Sequence, residues 1–408
     1  MIISAKQILS AFVSKIPSTV LGPERARFII EHIDDLPIEE KLAIIQFVNQ
    51  VLSAMIEREA SDVEIGGHGT QGHIWFRIFG KKERAYDQPQ LNEDEASTLI
   101  ITLLNKNQRT FLLENRNVDF SYSYKYEKTE TNFRFRADAY FDLDSVALNM
   151  RSIQVSVRPV ESLEFHPLAV KTMSHNYIKF GLSLITGITG SGKSTTLDAI
   201  IDFHNDSDPC HIIIIGSPIE YVHKSRKSII KHREVGRDVI SFKEGVIQSL
   251  RQDPDIIVIG EMRDPETIMA ALEVTDTGHK VFSTLHTSSA VESIDRIIAE
   301  MNPHEQERVR NRLADVLISI VSQKLIPSLD GKRVLAKEVL LVTPSVRAAI
   351  KNNNTSEIYL MINQGGPQGM VTMEQDLMRL YLAKKISKEN ALAYANNKTR
   401  ILQLMKAN

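Results

Sequence analysis

The sequence predicts an α/β protein of more than one domain: a small α+β domain, then a parallel-sheet domain with a helical C-terminal part. Three observations predict it. The chain has 408 residues, enough for two or three cores of ordinary size. Its hydrophobic pattern changes character near Ala60 and again near Pro159. Beyond the second change, short aliphatic runs alternate with helical stretches, as crossover connections between parallel strands require.

Taken in order, residues 1–59 read as a helical N-terminal extension. Within it, Leu36 to Glu59 has the pattern of an amphipathic helix, with Pro37 in the first turn, Glu39 and Glu40 near the positive end of the dipole, and Leu42, Ile45, Leu52 and Ile56 along one stripe. Residues 60–160 carry short apolar or alternating runs at Ile74 to Phe79, Val118 to Tyr126, Phe133 to Phe141 and Ile153 to Val157, around one helical stretch from Glu93 to Glu114. Pro159 and Pro167 bracket a stretch with little periodicity, so residues 161–175 are expected to be a linker. Residues 176–408 form the second domain, and Asp376 to Lys406 is expected to be helical throughout.

Composition narrows the function. Apolar residues make up 42% and charged residues 25%, the balance of a folded globular chain. The formal net charge of -2 provides no field toward nucleic acid or an anionic bilayer, so no nucleic-acid partner is expected. The single cysteine, Cys210, cannot form an internal disulfide or a thiolate zinc site, which suits a reducing cytoplasm. No apolar run approaches the ~18–20 residues that span a bilayer, so any link to a membrane is expected to be peripheral, through partners.

The chemistry concentrates at Gly187-Ile188-Thr189-Gly190-Ser191-Gly192-Lys193-Ser194, which fits the phosphate-loop pattern G-x-x-x-x-G-K-[ST]. Leu182 to Thr186 reads as the strand entering the loop and Thr195 to Phe203 as the helix leaving it. Glycines let backbone N–H groups converge on phosphate oxygens at the positive end of that helix. Lys193 then reaches the β and γ phosphates of ATP, and the Ser194 hydroxyl can take one position around Mg²⁺.

Three more strands end in polar residues. Ile212 to Ile215 runs into Pro218 and Glu220, Ile256 to Ile259 into Gly260 and Glu261, and Val281 to Leu285 into His286. In an open parallel sheet ligands bind beyond the carboxyl ends of the strands, so these groups are expected to share one crevice with the loop. A carboxylate there can deprotonate an attacking water, and a second can hold Mg²⁺. By itself Glu220 reads more readily as a solvated turn residue, and either His279 or His286, which flank a short strand, as an ordinary hydrogen-bonded histidine.

Five segments in order carry a resemblance: Gly187 to Thr196, Pro218 to His223, Arg233 to Gly236, Leu250 to Asp264, and Thr277 to Thr287. Together they resemble the successive boxes of the type IV pilus retraction ATPases, within the wider secretion ATPase superfamily. The resemblance spans about Ala60 to Asn397. It implies a homohexameric ATP-driven motor with an N-terminal PAS-like domain and a C-terminal RecA-like ATPase domain, working in the cytoplasm at the inner face of the inner membrane on a pilus platform protein. It makes Lys193 and Ser194 Walker A ligands, with Gly187, Thr189, Gly190, Ser191, Gly192 and Thr195 around the nucleotide. Glu220 becomes the catalytic glutamate and Glu261 the Walker B acid. His279 and His286 become a box that reports nucleotide state. Arg134 and Arg136 fall where the family has a basic pair reaching a neighbouring subunit's nucleotide; as residues alone they fit an exposed strand face better.

The chain departs from the pattern in places. Gly216-Ser217 stands where relatives carry two acids, and Val346 to Lys351 only loosely resembles the retraction-linked helix. The first sixty residues exceed the usual start. The four-cysteine zinc site of the assembly ATPases is absent, which favours retraction. Two other functions share the same boxes: an ATPase powering a secretion or conjugation channel, and a nucleotide-controlled scaffold with weak hydrolysis.

Overall fold

The computed structural model describes residues 4–153 and 156–407. The chain divides into two compact units, Met1–Val155 with Ser217–Tyr221, and Ser156–Gly216 with Val222–Asn408.

The first unit is built on a six-stranded antiparallel sheet in the order β3-β2-β1-β6-β5-β4. Its strands are β1 (Ala60–Gly66), β2 (Trp75–Ile78), β3 (Lys81–Arg84), β4 (Asn117–Tyr126), β5 (Thr131–Asp142) and β6 (Ser145–Ser152). The helices Ala5–Val13, Pro23–His32 and Ile38–Glu57 belong to the same core as this sheet: Leu9, Ile29 and Leu52 are fully buried in one cluster with Val63, Phe135 and Leu148. Residues 1–59 are therefore not an extension beside a separate sheet domain. Their apolar faces are what the sheet is packed against.

Three sequence expectations need adjusting here. The helix Ile38–Glu57 buries Ile44, Val48, Val51, Leu52 and Met55, while Leu42 is exposed and Ile45 and Ile56 are half-buried. Because the helix is apolar over much of its circumference, several stripes compete, and only the packing partner selects one. The helical stretch Glu93 to Glu114 is two helices, Glu93–Leu103 and Lys106–Asn115. Asn105 breaks it by forming a reciprocal capping box with Gln108. The expected strand Ile153 to Val157 includes Gln154 and Val155, which lie outside the described residues, and Ile153 and Val157 are not in a strand. The strand of this region is β6, which lies between β1 and β5 and is buried nearly continuously, so it lacks the period-2 signal of a half-exposed strand.

The second unit holds a seven-stranded sheet in the order β13-β12-β7-β11-β10-β8-β9. Its strands are β7 (Gly181–Thr186), β8 (His211–Gly216), β9 (Ile229–Glu234), β10 (Ile256–Ile259), β11 (Lys280–Leu285), β12 (Leu317–Pro327) and β13 (Arg333–Leu341). All pairings are parallel except β12 with β13. Every residue of β7, β10 and β11 is buried, as expected for a parallel sheet covered on both faces.

The expected linker is packed structure. Val160 and Leu163 form a cluster with Ala199, and the helix Pro167–Met173 buries Ala169 and Met173. Proline at N1 starts that helix rather than loosening the chain. Glu164 ties this segment to the C-terminal part, accepting from Arg379 Nη1 at 2.6 Å and Lys385 Nζ at 2.7 Å. These cations hold its carboxyl down at about 2. Glu164 is 45% exposed, so solvent screens the pairs and their joint worth is about 1 kcal/mol. Glu164→Gln should cost that amount at pH 7, and the difference should vanish as pH falls from 4.5 toward 2, because a depressed carboxylate stabilises only while it is ionised. Urea unfolding of both chains at pH 7 and pH 3.5 measures it.

The C-terminal stretch is not one helix but three, Met373–Leu382, Lys388–Tyr394 and Lys398–Ala407. Lys384, at φ 54°, turns the chain after the first, and Ser387 caps the second. Met373, Leu377 and Ile401 of these helices, with Ile386 from the connection between the first two, share a core with Ile326 of β12 and Ala336 of β13.

Candidate functional site

Parallel register brings four strand ends to one edge of the sheet of the second unit. Thr186 pairs with Leu285, Ile259 with Ser283 and with Ile215, so Gly187, His286, Gly260 and Gly216 all leave the sheet on the same side.

The phosphate loop leaves β7 there. Gly187, Gly190 and Gly192 have φ of 150°, 79° and 89°, in the region other residues rarely adopt. At Gly187 a Cβ would sit 2.4 Å from Ser191 Oγ and 2.6 Å from the Gln323 carbonyl oxygen, so only glycine lets the loop close on itself. Gly192 caps the helix Lys193–Ser207, whose first-turn N–H groups and dipole face the loop. Ser194 and Thr195 are half-buried in that first turn, and Thr189 is exposed on the loop. Lys193 is largely buried, its Nζ donating to the carbonyls of Gly187 at 2.8 Å and Ile188 at 3.2 Å. The ammonium therefore lies over the concavity that a phosphate would enter. Ser191 Oγ is buried here without a hydrogen-bond partner.

His286 follows β11 directly beside this loop, where Gly187 N–H donates to the Leu285 carbonyl at 3.2 Å. Burial, then the positive charges of Lys193, Arg263 and Arg296, lower the His286 pKa, so the ring is neutral at pH 7 and can accept a hydrogen bond. Glu261, just past β10, pairs with Arg263 at 2.8 Å. Thr284 Oγ1 donates to the Gly260 carbonyl at 2.6 Å and Met262 N–H to the Thr284 carbonyl at 3.2 Å, which fixes the chain on both sides of Glu261.

His279 does not join them. It precedes β11, seven residues from His286, about 20 Å away along a strand. There its Nδ1 lies 3.0 Å from Thr277 Oγ1 and 3.2 Å from the Val274 carbonyl. Next to it, fully buried Lys280 donates to the Ile178 carbonyl at 2.9 Å, and burial pulls its pKa down to about 7. The two histidines flank one strand, and a strand of six residues necessarily puts its two ends far apart.

Glu220 lies four residues past β8, in the short segment Ser217–Tyr221 that clusters with the first unit. The chain rejoins the second unit at Val222, and His223 anchors it: His223 Nε2 lies 3.1 Å from Asp198 Oδ1, and its backbone N–H donates to His232 Nε2 at 3.0 Å. Asp198 is one turn beyond Lys193 on the loop helix, and burial raises its carboxyl pKa. Within the first unit, Arg134 and Arg136 lie on the face of β5 opposite buried Phe135 and Ala137. Arg134 donates to Ser123 Oγ at 3.1 Å and to the Ile219 carbonyl at 2.8 Å, and Arg136 pairs with Asp119 at 3.4 Å.

Residue patterns missed two participants. Gln323, on β12, is buried and donates through Nε2 to the Ser191 carbonyl at 2.9 Å. Asp198 reads as an ordinary helix residue until His223 is placed against it. Neither has a local sequence signal, because each acts through a partner distant in the chain.

Among the described residues no group of three or more His, Cys, Asp or Glu could hold a metal ion by itself. Ser194 instead offers a hydroxyl and Glu261 a carboxylate at this edge. That set fits an ion such as Mg²⁺, which takes few protein ligands and completes its shell with water and substrate phosphates.

Known proteins match over most of the chain. It is 38% identical over 323 residues to the twitching motility protein of Neisseria gonorrhoeae, covering 79% of this chain and 84% of the relative. To the type IV pilus retraction ATPase PilT of Pseudomonas aeruginosa it is 37% identical over 344 residues, 84% of this chain and 96% of the relative. The crystal structure of the pilus retraction motor PilT with bound ADP superposes with a TM-score of 0.77 at 35% identity, covering 87% of this chain and 99% of that one. The model of the type II/IV secretion system protein family matches residues 38–400, and with the phosphate loop folded at the edge of a parallel sheet, this chain is a member of that family.

Proposed function

We propose that this chain is the ATP-hydrolysing subunit of a homohexameric motor that powers retraction of type IV pili, and hence twitching motility. The observation that carries the proposal is the folded phosphate loop with Lys193 over its concavity, in a chain 37% identical to PilT along 96% of that protein. ATP would bind as its Mg²⁺ complex: the N–H groups of residues 187–195 would hold the polyphosphate, and Ser194 and Glu261 would hold the ion. Lys193 leaves the loop carbonyls for the β and γ phosphates and offsets charge on the transferred phosphoryl group. Glu220 accepts the proton of the attacking water, and neutral His286 accepts a hydrogen bond at the γ-phosphate side.

Arg134, Arg136 and His279 belong to the site of a neighbouring subunit. Supporting this, the arginines lie on the face of β5 opposite its buried side chains, and His279 sits at the sheet end away from its own loop. Ring closure gives such trans residues a nucleotide to reach. Residues 60–160, with the helices before them in the same core, would be the PAS-like moving domain, and 161–408 the RecA-like engine, into which the segment 161–175 is packed. No helix among the described residues is long and apolar enough to cross a membrane. We place the motor in the cytoplasm at the inner face of the inner membrane, held there by a pilus platform protein that its rotation turns.

The test is deletion of the gene. Cells without this chain should keep surface pili, in excess of the wild type, and lose surface movement, and complementation with Lys193→Ala should fail. Pilus imaging and motility plates read both. Bald cells would reassign the chain to pilus assembly, and unaltered pili with lost secretion would make it a channel-powering ATPase.

A further inference from the structure

β12 runs parallel to β7 as far as Ser322 opposite Thr186, and their hydroxyls bond at 2.8 Å. Gln323 is therefore the first residue past the ladder, level with the point where β7 gives way to the phosphate loop. Its backbone carbonyl is one of the two atoms a Cβ on Gly187 would strike, 2.6 Å away, and its amide lies against Gly192, where a Cβ would be 3.4 Å from Nε2. One residue thus touches the first and last glycines of the loop and donates to the Ser191 carbonyl between them at 2.9 Å. That carbonyl can only accept, so it fixes which end of the amide is nitrogen.

The same contact leaves two buried polar atoms without partners: Gln323 Oε1 and Ser191 Oγ, on residues 1% and 2% exposed. Buried polar atoms of this kind are costly unless something completes them. They are complementary, one an acceptor and the other a hydroxyl that can donate. We propose that Gln323 is a positioning residue for the phosphate loop, clamping it through the Ser191 carbonyl and closing a second hydrogen bond, Ser191 Oγ–H to Gln323 Oε1, when a nucleotide's polyphosphate draws the loop inward. The inference rests on the nucleotide site described above and adds to it a strand that no phosphate-loop motif includes. The clamp serves bound ADP and ATP alike, so it acts on affinity rather than on the chemical step.

The experiment uses the full-length chain with ADP as probe, measuring ADP affinity by calorimetry and the thermal midpoint with and without saturating ADP. Gln323→Met, of similar bulk but without the amide, should bind ADP about tenfold more weakly, the loss expected for one to two buried hydrogen bonds. Its midpoint without ADP should stay near the wild type's. KM for ATP should rise in step while kcat changes less than about twofold. Ser191→Ala should weaken ADP binding by itself and have no further effect in the Gln323→Met background, the signature of coupled groups. Unchanged ADP affinity in Gln323→Met overturns the proposal, and so does a lowered midpoint without ADP at normal affinity, which makes Gln323 a packing residue. Equal effects of Ser191→Ala in both backgrounds overturn the second bond. If the wild-type chain itself gains no stability from ADP, it is the nucleotide site that fails; if it does and Gln323→Met gains as much, only the clamp fails.

Discussion

Lys193→Ala should lower ATP hydrolysis on the order of a thousandfold, the scale for removing one preorganised charge from a phosphoryl-transfer site. The Lys193 ammonium is held among the Gly187 and Ile188 carbonyls by a loop whose glycine dihedrals other residues rarely adopt. Alanine at this position keeps the helix Lys193–Ser207 intact, since no residue has a higher helix propensity. The variant should therefore fold and assemble without firing. Phosphate release at saturating ATP and Mg²⁺ measures the loss, and the thermal midpoint confirms the fold. Hydrolysis within about tenfold of the wild type would remove Lys193 from its role at the phosphates.

Glu220→Gln should have a comparable effect on turnover, on the order of a hundred- to ten-thousandfold, with a different signature. The amide preserves the shape of the side chain but cannot take a proton from water. ATP binding should be retained and the enzyme should accumulate its ATP complex, whereas Lys193→Ala weakens the hold on the phosphates themselves. Nucleotide binding measured beside phosphate release separates the two. Near-normal hydrolysis in the glutamine variant would remove Glu220 as the base and turn attention to Glu261. The Gly216-Ser217 pair, where the resembling family carries acids, puts the more weight on Glu220, because fewer carboxylates lie near it in sequence to take over.

What the sequence determined by itself was the engine. Aliphatic runs such as Ile212 to Ile215 and Ile256 to Ile259 are short, β-branched and bounded by turn residues, which favours buried strands, and the loop Gly187–Ser194 between a strand and a helix fits a phosphate site. Parallel topology then follows from short strands alternating with helices, and with it the common edge at Gly187, Gly260 and His286. Signals of this kind are local, set by periodicity and by backbone conformations only glycine adopts.

The tertiary structure decided whatever depends on a distant partner. The helix Ile38–Glu57 could have buried any of several stripes, and the sheet of the first unit selected the one through Val48 and Met55. Residues 161–175 carry too little periodicity to announce a packed segment, yet Leu163 and Met173 are buried and Glu164 is clasped by Arg379 and Lys385. Capping at Asn105 and the turn at Lys384 cut long helical patterns into shorter helices, because a cap competes with continuation by only about 1 kcal/mol and packing tips the balance. His279 and His286 look like a pair on paper, but a strand's rise of about 3.3 Å per residue separates them. Gln323 and Asp198 acquire their places only from β12 and His223, more than twenty residues away from what they touch, and no window of sequence contains both halves of such a contact.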